Sequence, residues 1–487
     1  MIPSSVVCRF CVCLFFFVSY SCSTVQWWVT TLDKSHLLNR FPDPIVSSTG
    51  NMSSLPGSTK NDNTFFVQDS ILFQEIHGYG AALTQSSASL FSLVKSKNQT
   101  LYWKLLSDLF LPGAGASISV IRLPITASDF ILPQLSYYSY DDSPGDYQLL
   151  NVSLKNDMNF VIPVLLDILK LQPDLKVIMA PWSAPVWLKT SSKDPSNGWY
   201  WGKLADPQTY ARYLLKVVQL YEQLGVSVFG LSLQNEPLNE PSDYPVMRMS
   251  PGDQVALVKL LGPLLRDAGL GKVRITIYDH NWDEPNYPIE VLKDEGAKQF
   301  IAGTAFHCYA GEVEAQNKVH MAFPDKELYF TECSGTGPAN FEANIPWNTK
   351  NLYVGAMNNW ATMVLHWNLA LDENYNPHHG GCTNCRGVIR IGSNGLWADY
   401  NEEYYGVAHF GKFVRPGSRR AKSWAVMNSN KSSMCLMGIA FANVRQMQIS
   451  LLNSCNSTVD LTIQRIESGK NIKVVLPIGL STFNWED

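Results

Sequence analysis

Eight short apolar runs, each ending in polar or aromatic residues and separated by helical patterns, constrain this chain more than any other feature. The first ends at His77-Gly-Tyr-Gly-Ala-Ala82, the second is Ile118 to Leu123, and the third is Lys176 to Ala180, followed by Pro181-Trp182. The fourth runs through Val226, Val228, Phe229, Leu231 and Leu233, then delivers Gln234, Asn235 and Glu236 before Pro237. Val273 to Tyr278, Ile301 to Phe306, Glu327 to Phe330 and Ala361 to His366 complete the set. Such runs read as strands buried on both faces, the condition of a parallel sheet covered by crossover helices such as Pro207 to Leu224 and Pro251 to Ala268. Eight strand–helix units predict an α/β fold, a (β/α)8 TIM barrel over residues 72–414, with a doubly wound open sheet as the alternative.

The flanks have a different texture. Residues 1–22 read as a secretory signal peptide, with Val6 to Val18 apolar around Arg9 and small residues from Ser19 to Ser23. Residues 23–71 are polar and turn-rich, with strand-like pieces at Val25 to Thr31 and Thr64 to Gln68. Residues 415–487 hold short strands at hairpin spacing: Ser423–Met427, Ser433–Ala442, Arg445–Asn453, Thr458–Gln464 and Lys473–Leu476. Neither flank is self-sufficient, so an accessory β-sandwich built from both chain ends is expected.

A net charge of -4, from 38 basic and 42 acidic residues, excludes a nucleic-acid footprint. No Gly-x-Gly-x-x-Gly or Gly-Lys-Ser/Thr loop follows a strand, and no Gly-x-Ser-x-Gly elbow surrounds Ser86-Ser87 or Ser232. Sequons at Asn51, Asn98, Asn151, Asn430 and Asn456 join the leader in favouring an extracellular or lysosomal destination. Six cysteines follow the leader. Cys382-x-x-Cys385 has too few ligands for zinc and no thioredoxin context, so a local disulfide is expected. Cys435 and Cys455 are expected to pair, and Cys308 and Cys333 to be buried free thiols. His378-His379 reads as a solvated or hydrogen-bonded pair.

Ligand groups in a barrel come from the C-terminal strand ends. Those ends carry Asp129, Trp182, Asn235, Glu236, Asp279, His307, Tyr309, Glu332 and Trp367. Glu236 and Glu332, on strands four and seven, face each other across the mouth, and paired carboxylates are what glycoside hydrolysis needs. Asn235 suits a sugar hydroxyl beside the scissile bond, making Glu236 the acid/base. Tyr309 donating to Glu332 would keep it ionised, as a nucleophile requires, while mutual repulsion would raise the acid.

The chain resembles glycoside hydrolase family 30, the family of acid β-glucosidase. The resemblance rests on His77-Gly-Tyr-Gly-Ala-Ala-Leu-Thr84, Ile121-Arg-Leu-Pro-Ile-Thr-Ala-Ser-Asp-Phe130, Ala180-Pro-Trp-Ser-Ala-Pro-Val-Trp-Leu-Lys189, Gln234-Asn-Glu-Pro237, Tyr278-Asp-His280, Phe306-His-Cys-Tyr309, Phe330-Thr-Glu-Cys333 and Trp367-Asn-Leu-Ala-Leu371. It implies a retaining double displacement, with Glu236 as acid/base and Glu332 as nucleophile. It implies Asp129, Trp182, Asn235 and Trp367 as glucose contacts, with Tyr309 beside the nucleophile and Tyr244 near the acid/base. Arg122, Asp279 and His307 would hold the site's hydrogen bonds from behind, and no metal or cofactor is implied. Two departures concern the leaving group. Cys308 stands where the lysosomal animal enzymes carry Trp, and Gly380-Gly-Cys-Thr-Asn-Cys-Arg-Gly387 is similar to the microbial branch with endo-β-1,6-glucanases. That loop is expected beside the leaving group. The expected activity is hydrolysis of glucosylceramide to glucose and ceramide, with peripheral membrane-lipid contact. An endo-β-1,6-glucanase acting on β-glucan is the alternative, and a non-catalytic carbohydrate-binding barrel a third.

Overall fold

The computed structural model describes residues 23–48, 63–190, 198–427, 435–444 and 446–487. The signal peptide read in residues 1–22 and the sequons at Asn51 and Asn430 lie outside these residues. Eight parallel strands close into a barrel in chain order: β1 (Gly78–Ala82), β2 (Val120–Ile125), β3 (Lys176–Pro181), β4 (Val228–Ser232), β5 (Arg274–Asn281), β6 (Ile301–His307), β7 (Glu327–Glu332) and β8 (Ala361–His366). The seam between β8 and β1 is hydrogen-bonded from Met363–Gly78 to His366–Ala81, which excludes the open sheet. Alternate residues divide the strand bodies between two cores. Val120, Ile178, Ala305, Tyr329, Met363 and Leu365 fill the interior. Ile121, Leu123, Val177 and Met179 pack outward with the helices. The helices begin where the sequence supplies caps: before Pro251–Asp267, Ser250 Oγ accepts from Asp253 N and Asp253 Oδ2 accepts from Ser250 N.

Both flanks meet in one ten-stranded sheet. Thr24–Thr31 pairs antiparallel with Gly479–Glu486 along its whole length. Asn63–Glu75 lies between Arg419–Val426 and Val459–Arg465. The sheet folds over itself, so that Val25, Trp27, Phe483 and Trp485 share a core with Phe65, Leu461, Ile463 and Ile472. Arg465 donates across it to Asp487 at 2.6 Å. The strand Gly479–Glu486 lies beyond the strands expected from sequence. Its faces serve two cores, so it lacks a simple alternation: Phe483 and Trp485 face the sheet's core while Leu480 joins the barrel's. A small sheet of Ala370–Leu371, Ile389–Ile391 and Ala398–Tyr400 was equally silent in sequence.

His409, on the helix Glu402–Gly411, ties sheet to barrel. Its ring nitrogens lie 2.8 Å from Thr30 Oγ1 and 2.9 Å from Thr482 Oγ1, one hydroxyl from each end of the chain. Burial pushes its proton affinity down to about 3, so the ring is neutral.

Among the described residues three disulfides are present. Cys382–Cys385 and Cys435–Cys455 form as expected. Cys308 and Cys333 are not free thiols: they are joined, with Cα atoms 5.4 Å apart at the ends of neighbouring β6 and β7. Residues one position past an adjacent pair of strand ends lie within disulfide reach, and that adjacency was already in the strand order. Among the described residues no helix is long and apolar enough to cross a membrane. His409→Leu should remove one hydrogen bond from each of the buried Thr30 and Thr482 hydroxyls and cost about 1–3 kcal/mol. A thermal scan should show the lower Tm, with turnover per folded molecule unchanged.

Candidate active site

The site is assembled around one cation. Arg122, on β2, is completely buried. Its Nη1 donates to Glu332 Oε2 through a very short contact, and its Nη2 to Asn235 Oδ1 at 2.7 Å and Asp279 Oδ2 at 2.9 Å. The guanidinium carbon lies 4.9 Å from the Trp182 ring centroid, and Trp182 stacks on Trp367 at 5.1 Å. Strands two, four, five and seven thereby converge on one side chain.

Backbone geometry aims the partners. Past β4 the chain stays pinned to both neighbours: Asn235 N donates to Pro181 O at 2.8 Å and Glu236 N to Asp279 O at 3.0 Å. Glu236 adopts a left-handed φ of 47°, an uncommon conformation for a non-glycine residue. Tyr278 and Asp279 are left-handed too, at 70° and 56°, where the pairing of β5 with β6 slips by one residue. That bulge turns Asp279 towards Arg122, Thr331 Oγ1 at 2.7 Å and His307 Nε2 at 3.1 Å.

The two glutamates meet through His307. Its Nδ1 lies 3.1 Å from Glu236 Oε1 and 3.9 Å from Glu332 Oε1. One donor atom from each of Glu236, His307 and Glu332 lies within 4.8 Å of the others. Tyr309 donates to Glu332 Oε1 at 3.0 Å. Eight of the residues expected from sequence line one cavity of about 420 Å³: Asp129, Trp182, Asn235, Glu236, Tyr244, Tyr309, Glu332 and Trp367. Arg122, Asp279 and His307 stand behind it.

The sequence reading missed Asn239, which donates to Glu236 Oε2 at 2.7 Å and to Tyr244 at 3.0 Å. Its signal was its place, three residues past the carboxylate in a turn closed by Asn239 N to Glu236 O. His280, also missed, stands 3.9 Å from Glu236 Oε1. The Gly380–Gly387 loop borders the site, as expected, beside the loop of Asp243 and Tyr244. His379 N donates to Asp129 O at 2.7 Å, and Tyr137 OH lies 2.6 Å from both His379 O and Asp243 O. Gly381 N donates to Asp243 Oδ2, and any Cβ at Gly381 would come within 2.4 Å of Asp129 Oδ2. The loop therefore closes over Asp129, and its disulfide forms cavity wall.

Three buried carboxyl groups share one guanidinium and His307, and Asp129 is buried near two of them, so the cluster retains protons. Burial disfavours the imidazolium of His307, but Glu332, Asp279 and Glu236 outweigh it and hold the ring up to about 9. Burial and the nearby charges of Glu332 and Glu236 lift Asp129 well above the carboxylate range. Burial would also raise Asp279, yet Arg122, His307 and Thr331 keep it far below. Burial lifts Glu236, but the bond and charge of His307, with His280 and Asn239, bring it down to about 2. Glu332 is raised by burial, with Glu236 and Asp279 adding to it against His307 and Arg122. This reverses the sequence expectation for the pair, because the proton rests on His307, one hydrogen bond from Glu236. Arg122→Met should deprive the buried Glu332 and Asp279 of the cation they share and destabilise the protein by about 3–5 kcal/mol. Denaturant unfolding of the variant checks that loss.

The residues 76–414 match the Glycosyl hydrolase family 30 TIM-barrel domain. The chain is 33% identical over 363 residues to an endo-1,6-beta-D-glucanase of Neurospora crassa, covering 71% of each chain. It is 25% identical over 433 residues to the lysosomal acid glucosylceramidase of Mus musculus, covering 85% of this chain and 81% of that one. A solved endo-beta1,6-glucanase superposes with a TM-score of 0.84 at 28% identity, covering 95% of this chain and all of the other. These likenesses overturn the expectation of glucosylceramide hydrolysis: proteins named as 1,6-glucanases share more sequence with this chain than the glucosylceramidase does. Matched along its whole barrel, the chain belongs to glycosyl hydrolase family 30 and is a glycoside hydrolase.

Proposed function

We propose that this enzyme cleaves β-1,6-glucan internally with retention of anomeric configuration, Glu332 acting as nucleophile and Glu236 as acid and base. The observation that carries the chemistry is the separation of the two carboxylates, with oxygens within 4.8 Å. That is close to the roughly 5 Å of retaining pairs and short of the roughly 6.5–9.5 Å that leaves room for a water. The likeness to endo-1,6-glucanases supports the substrate class.

Glu332 attacks the anomeric carbon as Glu236 protonates the departing glycosidic oxygen, giving a glycosyl ester on Glu332 and a shortened glucan. Glu236 then takes a proton from water, whose oxygen displaces Glu332 from the same carbon, and returns it to His307. His307 supplies the proton store: its Nδ1 lies 3.1 Å from Glu236 Oε1. Asn235 gives its amide oxygen to Arg122, which leaves its NH2 for a sugar hydroxyl. Trp182 and Trp367 offer an apolar wall to the ring, and Asp129 and Tyr244 offer polar contacts around it. Three disulfides and the exposed sequons at Asn98, Asn151 and Asn456 support passage through the secretory pathway.

Incubation with β-1,6-, β-1,3- and β-1,4-glucans tests the proposal. A rapid fall in the mean length of the β-1,6 chain alone is expected; release of glucose without shortening, or a preference for another linkage, contradicts it. Glu332→Gln should lower turnover of an aryl β-gentiobioside at least roughly a thousandfold. Glu236→Gln should harm the glucan more than that activated substrate, because only the poor leaving group needs protonation. In kcat/KM profiles the acid limb should lie above the ordinary glutamate value of 4.5, activity falling as Glu332 takes up a proton. The alkaline limb should lie near 9, activity falling as His307 loses its proton, and His307→Asn should abolish that limb.

A further inference from the structure

The half-cystines Cys308 and Cys333 sit directly beside groups that the mechanism uses. Cys308 lies between His307 and Tyr309, and Cys333 follows Glu332. Their bond joins the two strand ends on the side away from the cavity: His307, Tyr309 and Glu332 point inward, whereas Cys333 is 3% exposed within the outer core and Cys308 packs against it. The bond therefore touches no substrate.

The strand ends need such a link. The pairing of β6 with β7 slips by one residue at Thr331 and finishes at His307–Glu332. Beyond that pair no ladder bond connects the two chains. The β7 side is held by its other neighbour, since Cys333 O accepts from Trp367 N at 3.0 Å. The β6 side is held by one side chain, Asn281, whose Oδ1 accepts from Tyr309 N at 3.0 Å. Tyr309 itself is 46% exposed, and its ring meets His307 edge-on with centroids 6.2 Å apart. Its hydroxyl nevertheless reaches Glu332 Oε1 at 3.0 Å. A phenol that makes one hydrogen bond from an exposed position depends on its backbone being fixed relative to the acceptor.

We propose that the Cys308–Cys333 disulfide is a positioning element of the catalytic site, fixing the end of β6 against β7 so that the Tyr309 hydroxyl stays on Glu332. The inference rests on Glu332 being the nucleophile, and it adds a covalent determinant of that group's reactivity. A bond acting only on the fold would lower stability and leave the chemistry of folded molecules unchanged. A positioning bond alters the nucleophile itself. Its loss frees the phenol, removes a donor to the ionised carboxylate, and makes Glu332 easier to protonate.

The test is a cycle of variants: C308S/C333S, C308A/C333A, Tyr309→Phe, and each cysteine pair combined with Tyr309→Phe. All are assayed on an aryl β-gentiobioside across pH, below the lowest Tm of the set. Each cysteine pair should lower kcat roughly tenfold and move the acid limb to higher pH. Adding Tyr309→Phe should then cost nothing further, because both changes remove the same interaction. Profiles identical to the parent, or losses that multiply, would overturn the proposal. Failure of both cysteine pairs to fold would also overturn it, by placing the bond's role in the fold. The substrate reading fails separately, if the parent acts on the aryl glycoside but leaves β-1,6-glucan intact. The nucleophile reading fails separately, if Glu332→Gln retains activity.

Discussion

A guanidinium sealed from water at the mouth of the barrel sets the terms for everything around it. Burying the Arg122 charge is costly unless it is paired, and its two terminal nitrogens meet Glu332, Asp279 and Asn235 from three different strands. Each partner is constrained in return. Asp279 is held by a bulge with two left-handed residues, and Asn235 by a hydrogen bond to the neighbouring strand. Glu332 is left one oxygen for Tyr309 and the cavity. The same ion network thus fixes strand ends, orients a sugar-binding amide and presents a carboxylate.

Around that centre the fold supplies rigidity at two distances. Close in, strands rather than loops carry Arg122, Asp279, His307 and Glu332, so their positions are set by barrel closure. Farther out, loops from different strands are clasped together: Tyr137 bridges carbonyls of the loops after β4 and β8, while Gly381 packs on Asp129. The two flanks are woven into one sheet and tied to the barrel through His409.

The barrel and its catalytic face were legible because buried parallel strands are apolar along their length and polar where they open. Glu236 and Glu332 stood out at such openings, and Asn235, Tyr309 and Trp367 came with them. What escaped was what depends on three-dimensional contact. Asn239 is unremarkable in sequence and gains a role only when a turn folds it back on Glu236. Cys308 and Cys333 look like isolated thiols until neighbouring strand ends bring them together. The protonation order of Glu236 and Glu332 was inverted because a pairwise argument omitted His307, which lies close to both. The substrate escaped for a further reason: paired carboxylates at strand ends specify glycoside cleavage and not the group that leaves.

The central claim is that carboxylates this close act by double displacement through Glu332. Proton NMR during the first minutes of β-1,6-glucan hydrolysis tests it most directly. The account predicts that newly formed reducing ends appear as the β-anomer and only later equilibrate with the α-anomer. Initial appearance of the α-anomer would show a single inverting displacement and contradict it.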